Sequence, residues 1–197
     1  MPKQVDHDAR REALAGALWR VVTRDGIEAA SVRRVAAEAG WSTGSLRHYF
    51  QTQPELLAFA MELVVQRVSD RVGAISGEGS PREIAARVLH EVLPMDAERR
   101  AEMQVWLAFT MRSLVDPELR ELRETAHQAL RGLCRTAAEL LGARDEAAPE
   151  RLHAFVDGLA LHAVLDPATT TPERQRELLA GYLDALSRNP RPRGESR

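Results

Sequence analysis

Between residues 42 and 49 the chain lines up Ser42, Thr43, Gly44, Ser45, Arg47, His48 and Tyr49. Hydroxyls, an imidazole and a guanidinium on one short segment suit the base edges of a DNA major groove, where donors and acceptors are read at hydrogen-bond range. The other groups able to do chemistry are less concentrated. His153/Asp157 and His162/Asp166 each lie four apart, the spacing of two metal ligands on one helical face. A nine-residue offset, however, turns the two histidines to opposite sides of the helix, so no metal site is expected, and no cofactor either. Cys134 is the single cysteine; it excludes an internal disulfide and, set among apolar residues, reads as an inert core thiol. No nucleophile stands with a base, no carboxylates face each other, and no glycine loop follows a strand. A helical enzyme or small-molecule-binding bundle in which the helical corner is incidental is therefore the second reading, behind DNA binding.

The elements that must hold residues 42–49 follow from apolar spacing. Leu14, Ala17, Leu18, Val21 and Val22 recur at three and four, so a first helix is expected over about 8–24, ended by Asp25-Gly26. Ser31 can cap a segment through Ala39, Gly40 interrupts it, and Ser42 can cap another through Phe50. Two short helices joined by Gly40-Trp41-Ser42 must cross steeply, as in a helix-turn-helix. Val35, Trp41, Leu46 and Phe50 then pack on the first helix, and the polar residues face out. Residues 1–50 carry a formal charge of +2 and residues 51–197 one of −4, so the positive end is this one.

The run Ser31 to Phe50, SVRRVAAEAGWSTGSLRHYF, resembles the DNA-binding signature of the TetR family of repressors. The resemblance implies an all-α homodimer: an N-terminal three-helix reader, a fourth helix linking it to a larger ligand-binding and dimerisation domain, and release of double-stranded operator DNA by a small-molecule inducer. The DNA-binding residues it marks here are Arg33, Ser42, Thr43, Gly44, Ser45, Arg47, His48, Tyr49 and Gln53. Two positions depart from the family pattern. Arg47 stands where a tyrosine is frequent, which replaces an aromatic contact with a guanidinium, and Gln53 stands where a phosphate-binding lysine often begins the fourth helix.

Beyond residue 52 the pattern stays helical. Helices are expected over about 53–75, from the Ser80-Pro81-Arg82-Glu83 capping box to Pro94, over 97–114, from Asp116-Pro117 to Leu141, over 149–165, and from Thr171-Pro172 to Ser187, giving about nine in all. The division expected is 1–52 reader, 53–187 ligand-binding and dimerisation domain, and 188–197 disordered tail. Trp106-Leu107-Ala108-Phe109, Asp116-Pro117-Glu118-Leu119 and Asp157-Gly158-Leu159-Ala160-Leu161-His162 resemble the C-terminal domain of the BetI-like subgroup. Met103, Trp106, Phe109 and Thr110 on one helix, with Leu130 and Cys134 on the next, are the candidate ligand residues; the aromatic rings would suit a cationic amine. The last two helices are apolar over wide arcs, so a two-fold interface is expected through Phe155, Gly158, Leu159, His162, Leu179, Tyr182, Leu183 and Leu186.

At 44% apolar and 28% charged, the 197 residues suffice for one or two globular domains. The near-neutral balance excludes a chain that binds nucleic acid or anionic membrane over its whole surface. No apolar window reaches the length of a membrane span, and the first ten residues lack a signal-peptide core, so a cytoplasmic protein with no membrane partner is expected.

Overall fold

The computed structural model describes residues 2–188, with side chains from Ala9 onward. Nine α-helices and no strand occur among the described residues: α1 Pro2–Asp25, α2 Val32–Ala39, α3 Thr43–Leu46, α4 Gln53–Gly73, α5 Pro81–His90, α6 Ala97–Ser113, α7 Arg120–Leu140, α8 Ala148–Leu165 and α9 Pro172–Arg188. The helical fold read from the sequence is the fold observed. Arg188, placed with the tail in the sequence division, ends α9; the rest of that tail, 189–197, lies outside the described residues.

α1 begins at Pro2, six residues before its expected start, and three later boundaries differ from the spacing-based ones, each for a local reason. α3 stops at Leu46 instead of running to Phe50. Past that point Tyr49 N–H bonds Leu46 C=O at 2.9 Å and His48 N–H bonds Ser45 C=O at 3.4 Å, so the chain tightens into three-residue turns. α5 ends at His90, and three such turns carry the chain to Leu93 before Pro94. Asp116 accepts a bond from Glu118 N–H and opens a 3₁₀ turn, Pro117–Leu119, which precedes α7.

The helices group into two compact units, described separately below. One comprises the chain up to Arg67 together with Gln104–Arg123; the other comprises Val68–Met103 and the residues from Glu124 on. The spatial division thus falls inside α4, fifteen residues beyond the boundary at 52 that the motifs suggest, and α6 and α7 also contribute to both units. In the first unit the stripe Leu14, Ala17, Leu18, Val21 and Val22 is buried, as are Val35, Ala36 and Leu46. In the second, Leu89 and Leu93, Cys134 and Ala137 of α7, Leu152 and Val156 of α8, and Leu179 and Leu183 of α9 form one core. Its entry helix α5 is fixed by a reciprocal capping box: Ser80 N–H donates to Glu83 at 2.7 Å and Glu83 N–H to Ser80 Oγ at 3.3 Å. No helix of the described residues is long and apolar enough to cross a membrane.

Candidate nucleic-acid interface

Three devices set the geometry of the reader. Ser31 Oγ accepts Arg34 N–H at 3.3 Å and starts α2. Gly40, at φ +70°, ends it in the left-handed region, so that Trp41 N–H can reach back to Ala36 C=O at 2.9 Å. Ser42 Oγ then accepts Ser45 N–H at 3.1 Å and starts α3. Two caps flanking one left-handed glycine determine how α2 and α3 cross. Leu46 is wholly buried beneath α3, and Phe50 packs on Phe59 of α4 with ring centroids 4.9 Å apart. The outward side of residues 42–49 is thereby fixed from below.

Of the nine expected DNA contacts, Arg33, Ser42, Gly44, Ser45, Arg47, His48 and Gln53 are exposed, while Thr43 and Tyr49 are half-buried. Tyr49 rests its ring against Trp41 at 6.0 Å between centroids. Ser42 and Ser45 join hydroxyls at 2.9 Å, so these two side chains bond first to the cap they form. The Gln53 side-chain amide donates to Ala30 C=O at 2.5 Å and ties the start of α4 to the segment entering α2. That tether is not visible in the sequence, since Ala30 and Gln53 are joined only by the fold.

Sequence reasoning also missed a ladder of charges between α1 and α2. Arg20 and Arg24 both bind Glu38, at 2.8 and 3.0 Å, while Arg24 and Arg34 both bind Asp25, at 3.0 and 3.1 Å. Arg24 holds the Asp25 carboxyl below its usual value through a hydrogen bond, and Arg20 followed by Arg24 does the same for Glu38. Three arginines of the basic end are therefore paired with two carboxylates of the protein itself. Among the described residues, no side-chain hydrogen bond or ion pair engages the guanidinium of Arg33 or Arg47. A count of charges along the chain cannot make this distinction between paired and available cations.

The candidate ligand residues are divided between the units. Trp106, Phe109 and Thr110 belong with the reader; Met103, Leu130 and Cys134 belong to the other unit. Phe109 and Cys134 are fully enclosed in core, and the remaining four are half-buried. Burial pushes the Cys134 thiol up to about 12. On α8, His153 lies buried with its Nε2 3.3 Å from Asp157 and its ring 4.6 Å from that of His127, whereas His162 and Asp166 are exposed.

Of the expected dimer residues, Leu159, Leu179 and Leu183 are 6%, 0% and 0% exposed within the single chain, where they pack into its own core. Phe155 and Tyr182 stack on each other at 4.3 Å and are half-buried with Gly158 and Leu186; His162 is exposed. The unpartnered apolar groups of α8 lie one step further round, at Leu161 and Leu165, with Ala154 and Gly158 in the same row.

Comparison with known proteins places these features in a lineage. The model for bacterial regulatory proteins of the tetR family matches residues 15–60, and the model for the C-terminal part of BetI-type transcriptional repressors matches 81–188. The chain is 40% identical to the HTH-type transcriptional regulator PksA of Bacillus subtilis over 195 residues, covering 94% of each. Among solved structures, it resembles a transcriptional regulator of Rhodococcus sp. Rha1 (TM-score 0.76, 34% identity, 89% of this chain and 95% of that one). It also resembles a Saccharomonospora viridis protein solved in complex with choline (TM-score 0.74, 25% identity, 90% and 96%).

Proposed function

The chain belongs to the tetR family of bacterial regulatory proteins, and we propose that it is a repressor that grips a palindromic operator as a homodimer and releases it when a small molecule binds the C-terminal part. The observation that carries this reading is the pair Arg33 and Arg47, exposed on either side of the glycine turn while the neighbouring arginines are tied to carboxylates. Cations left available beside a fixed helical corner serve phosphates and guanine edges, the two things a reader must hold. Arg47→Ala should weaken binding to a selected duplex by ~1–3 kcal/mol without altering the melting temperature. Equal affinity in a gel-shift titration would remove Arg47 from the readout.

Dimerisation is assigned to the row Ala154, Gly158, Leu161 and Leu165 of α8, exposed except at the half-buried Gly158, with Phe155, Tyr182, Leu186 and His162 at its margins. Two small residues followed by two leucines let helices of two copies approach closely at one end and interlock at the other. For the inducer, the choline held by the Saccharomonospora protein supports a cationic amine, and the half-buried Trp106 is the ring best placed to attract one. Choline and larger quaternary amines screened by thermal shift, with Trp106→Ala as the control, test that assignment. A shift undiminished in the Ala variant would place the site elsewhere.

A further inference from the structure

Arg71, in the last turn of α4, is bonded far more heavily than its place on the helix requires. Its Nη1 and Nη2 donate to the two carboxylate oxygens of Glu102 on α6 at 2.8 and 2.6 Å. Its Nε donates to the Glu91 carboxylate at 2.8 Å, and Nη2 also reaches the Glu91 carbonyl at 3.2 Å, at the end of α5. Arg99 Nη2 stands 3.4 Å from the same Glu91 carboxylate. Glu102 is only 4% exposed, and its hydrogen bonds are the foremost cause that holds the Arg71 guanidinium above its ordinary value, against the opposing effect of burial.

Such a cluster is a poor device for stability alone, because removing charges from water offsets most of what their pairing returns. What a forked guanidinium gives is geometry: its donors lie in one plane at fixed angles, and here that plane fixes the ends of α4 and α5 and the start of α6 together. At its other end α4 is also held within the reader unit. Gln53 is tied to Ala30, Phe59 packs on Phe50, Arg11 bonds Glu62 at 2.7 Å, and Arg67 lies 4.2 Å over the Trp19 ring. Arg67 belongs to one compact unit and Arg71 to the other. One helical turn separates the last anchor in the reader from the first in the C-terminal unit.

We propose that Arg71 is a positioning residue for the operator response: its fork on Glu102 and Glu91 locks the end of α4 in one register, so that a change in α5 or α6 must move the reader instead of being absorbed by a swinging helix end. The inference rests on the regulatory reading for its purpose, but the clamp itself can be tested without DNA. Nitroxide labels at Ala37→Cys and Glu139→Cys, both exposed positions, report the distance between the units by pulsed electron resonance. Labelled chains are diluted into unlabelled protein so that each pair lies in one chain, and Cys134 stays unlabelled because it is fully enclosed.

The informative variant is Arg71→Met with Glu102→Met, which removes the most buried pair and leaves Glu91 with Arg99, 3.4 Å away. Its melting temperature should equal or exceed that of wild type, while its distance distribution becomes roughly twice as wide. Arg71→Lys, which keeps the charge and loses the fork, should fall between. A double variant with the wild-type width overturns the proposal. If the double variant does not fold, Arg71→Lys decides alone, since an unchanged width there removes the role of the fork. Loss of duplex binding by unaltered protein would instead refute the regulatory reading and leave the width measurement valid.

Discussion

Gly44 and Gly40 lie four residues apart and do opposite things. Gly40 needs its positive φ to end α2, and a Cβ there would meet nothing within 4 Å, so Gly40→Ala should cost only the left-handed backbone, ~1–2 kcal/mol in chemical denaturation. Gly44 has ordinary helical φ and room for a methyl, 3.8 Å from Ser42 Oγ. Gly44→Ala should therefore keep or slightly raise the melting temperature, yet reduce duplex affinity, because the lost space lies on the outward face. A Gly44→Ala protein that binds as wild type does would mean that nothing approaches that face closely. Arg33 makes the complementary case: Arg33→Ala should lower the slope of log affinity against log salt by about 0.9 per protomer, and an unchanged slope would show that it meets no phosphate. The identities of these residues were legible in the sequence. Which arginines remain available was not, because the pairing of Arg20, Arg24 and Arg34 with Glu38 and Asp25 depends on how α1 crosses α2.

At the scale of elements, caps and glycine stops read well from the chain, since Ser31, Ser42, Ser80 and Gly40 act through bonds to residues at most five away. The orientation of α8 and α9 read poorly. Both are apolar over so wide an arc that periodicity identifies a buried helix without saying which side its own core occupies. Leu179 and Leu183 went inward and Leu161 and Leu165 outward, a choice made by packing against α5 and α7. One double and one single substitution separate these roles. Leu161→Glu with Leu165→Glu should give a folded monomer in analytical ultracentrifugation, while Leu179→Ala should destabilise the fold by ~2–5 kcal/mol and leave association to whatever fraction stays folded. A Leu161/Leu165 double variant that sediments as wild type does would move the interface off this row.

At the scale of the whole molecule, stability should depend on pH through partly buried imidazoles. Burial, followed by Arg176 and Arg99, holds His90 below its ordinary 6.5, with Glu91 opposing. The unfolded chain then binds a proton that the folded chain resists, so stability should be full above about 6.5 and fall as the pH drops through that value. His90→Gln should flatten part of this fall in urea midpoints compared between about pH 7.5 and 5.5; an identical fall would assign it to other groups, His153 first. The same enclosure makes Cys134 a reporter of unfolding, with its thiol pushed up to about 12. Where the two units part was not legible, because the cuts fall inside α4, α6 and α7, whose spacing runs unbroken across them. The central claim, that residues 33–49 read a specific duplex, is tested most directly by selecting binders from random double-stranded DNA with the purified protein and sequencing them. An inverted repeat should emerge, with enrichment that disappears in Arg47→Ala. A selected pool indistinguishable from the input at low salt would contradict it.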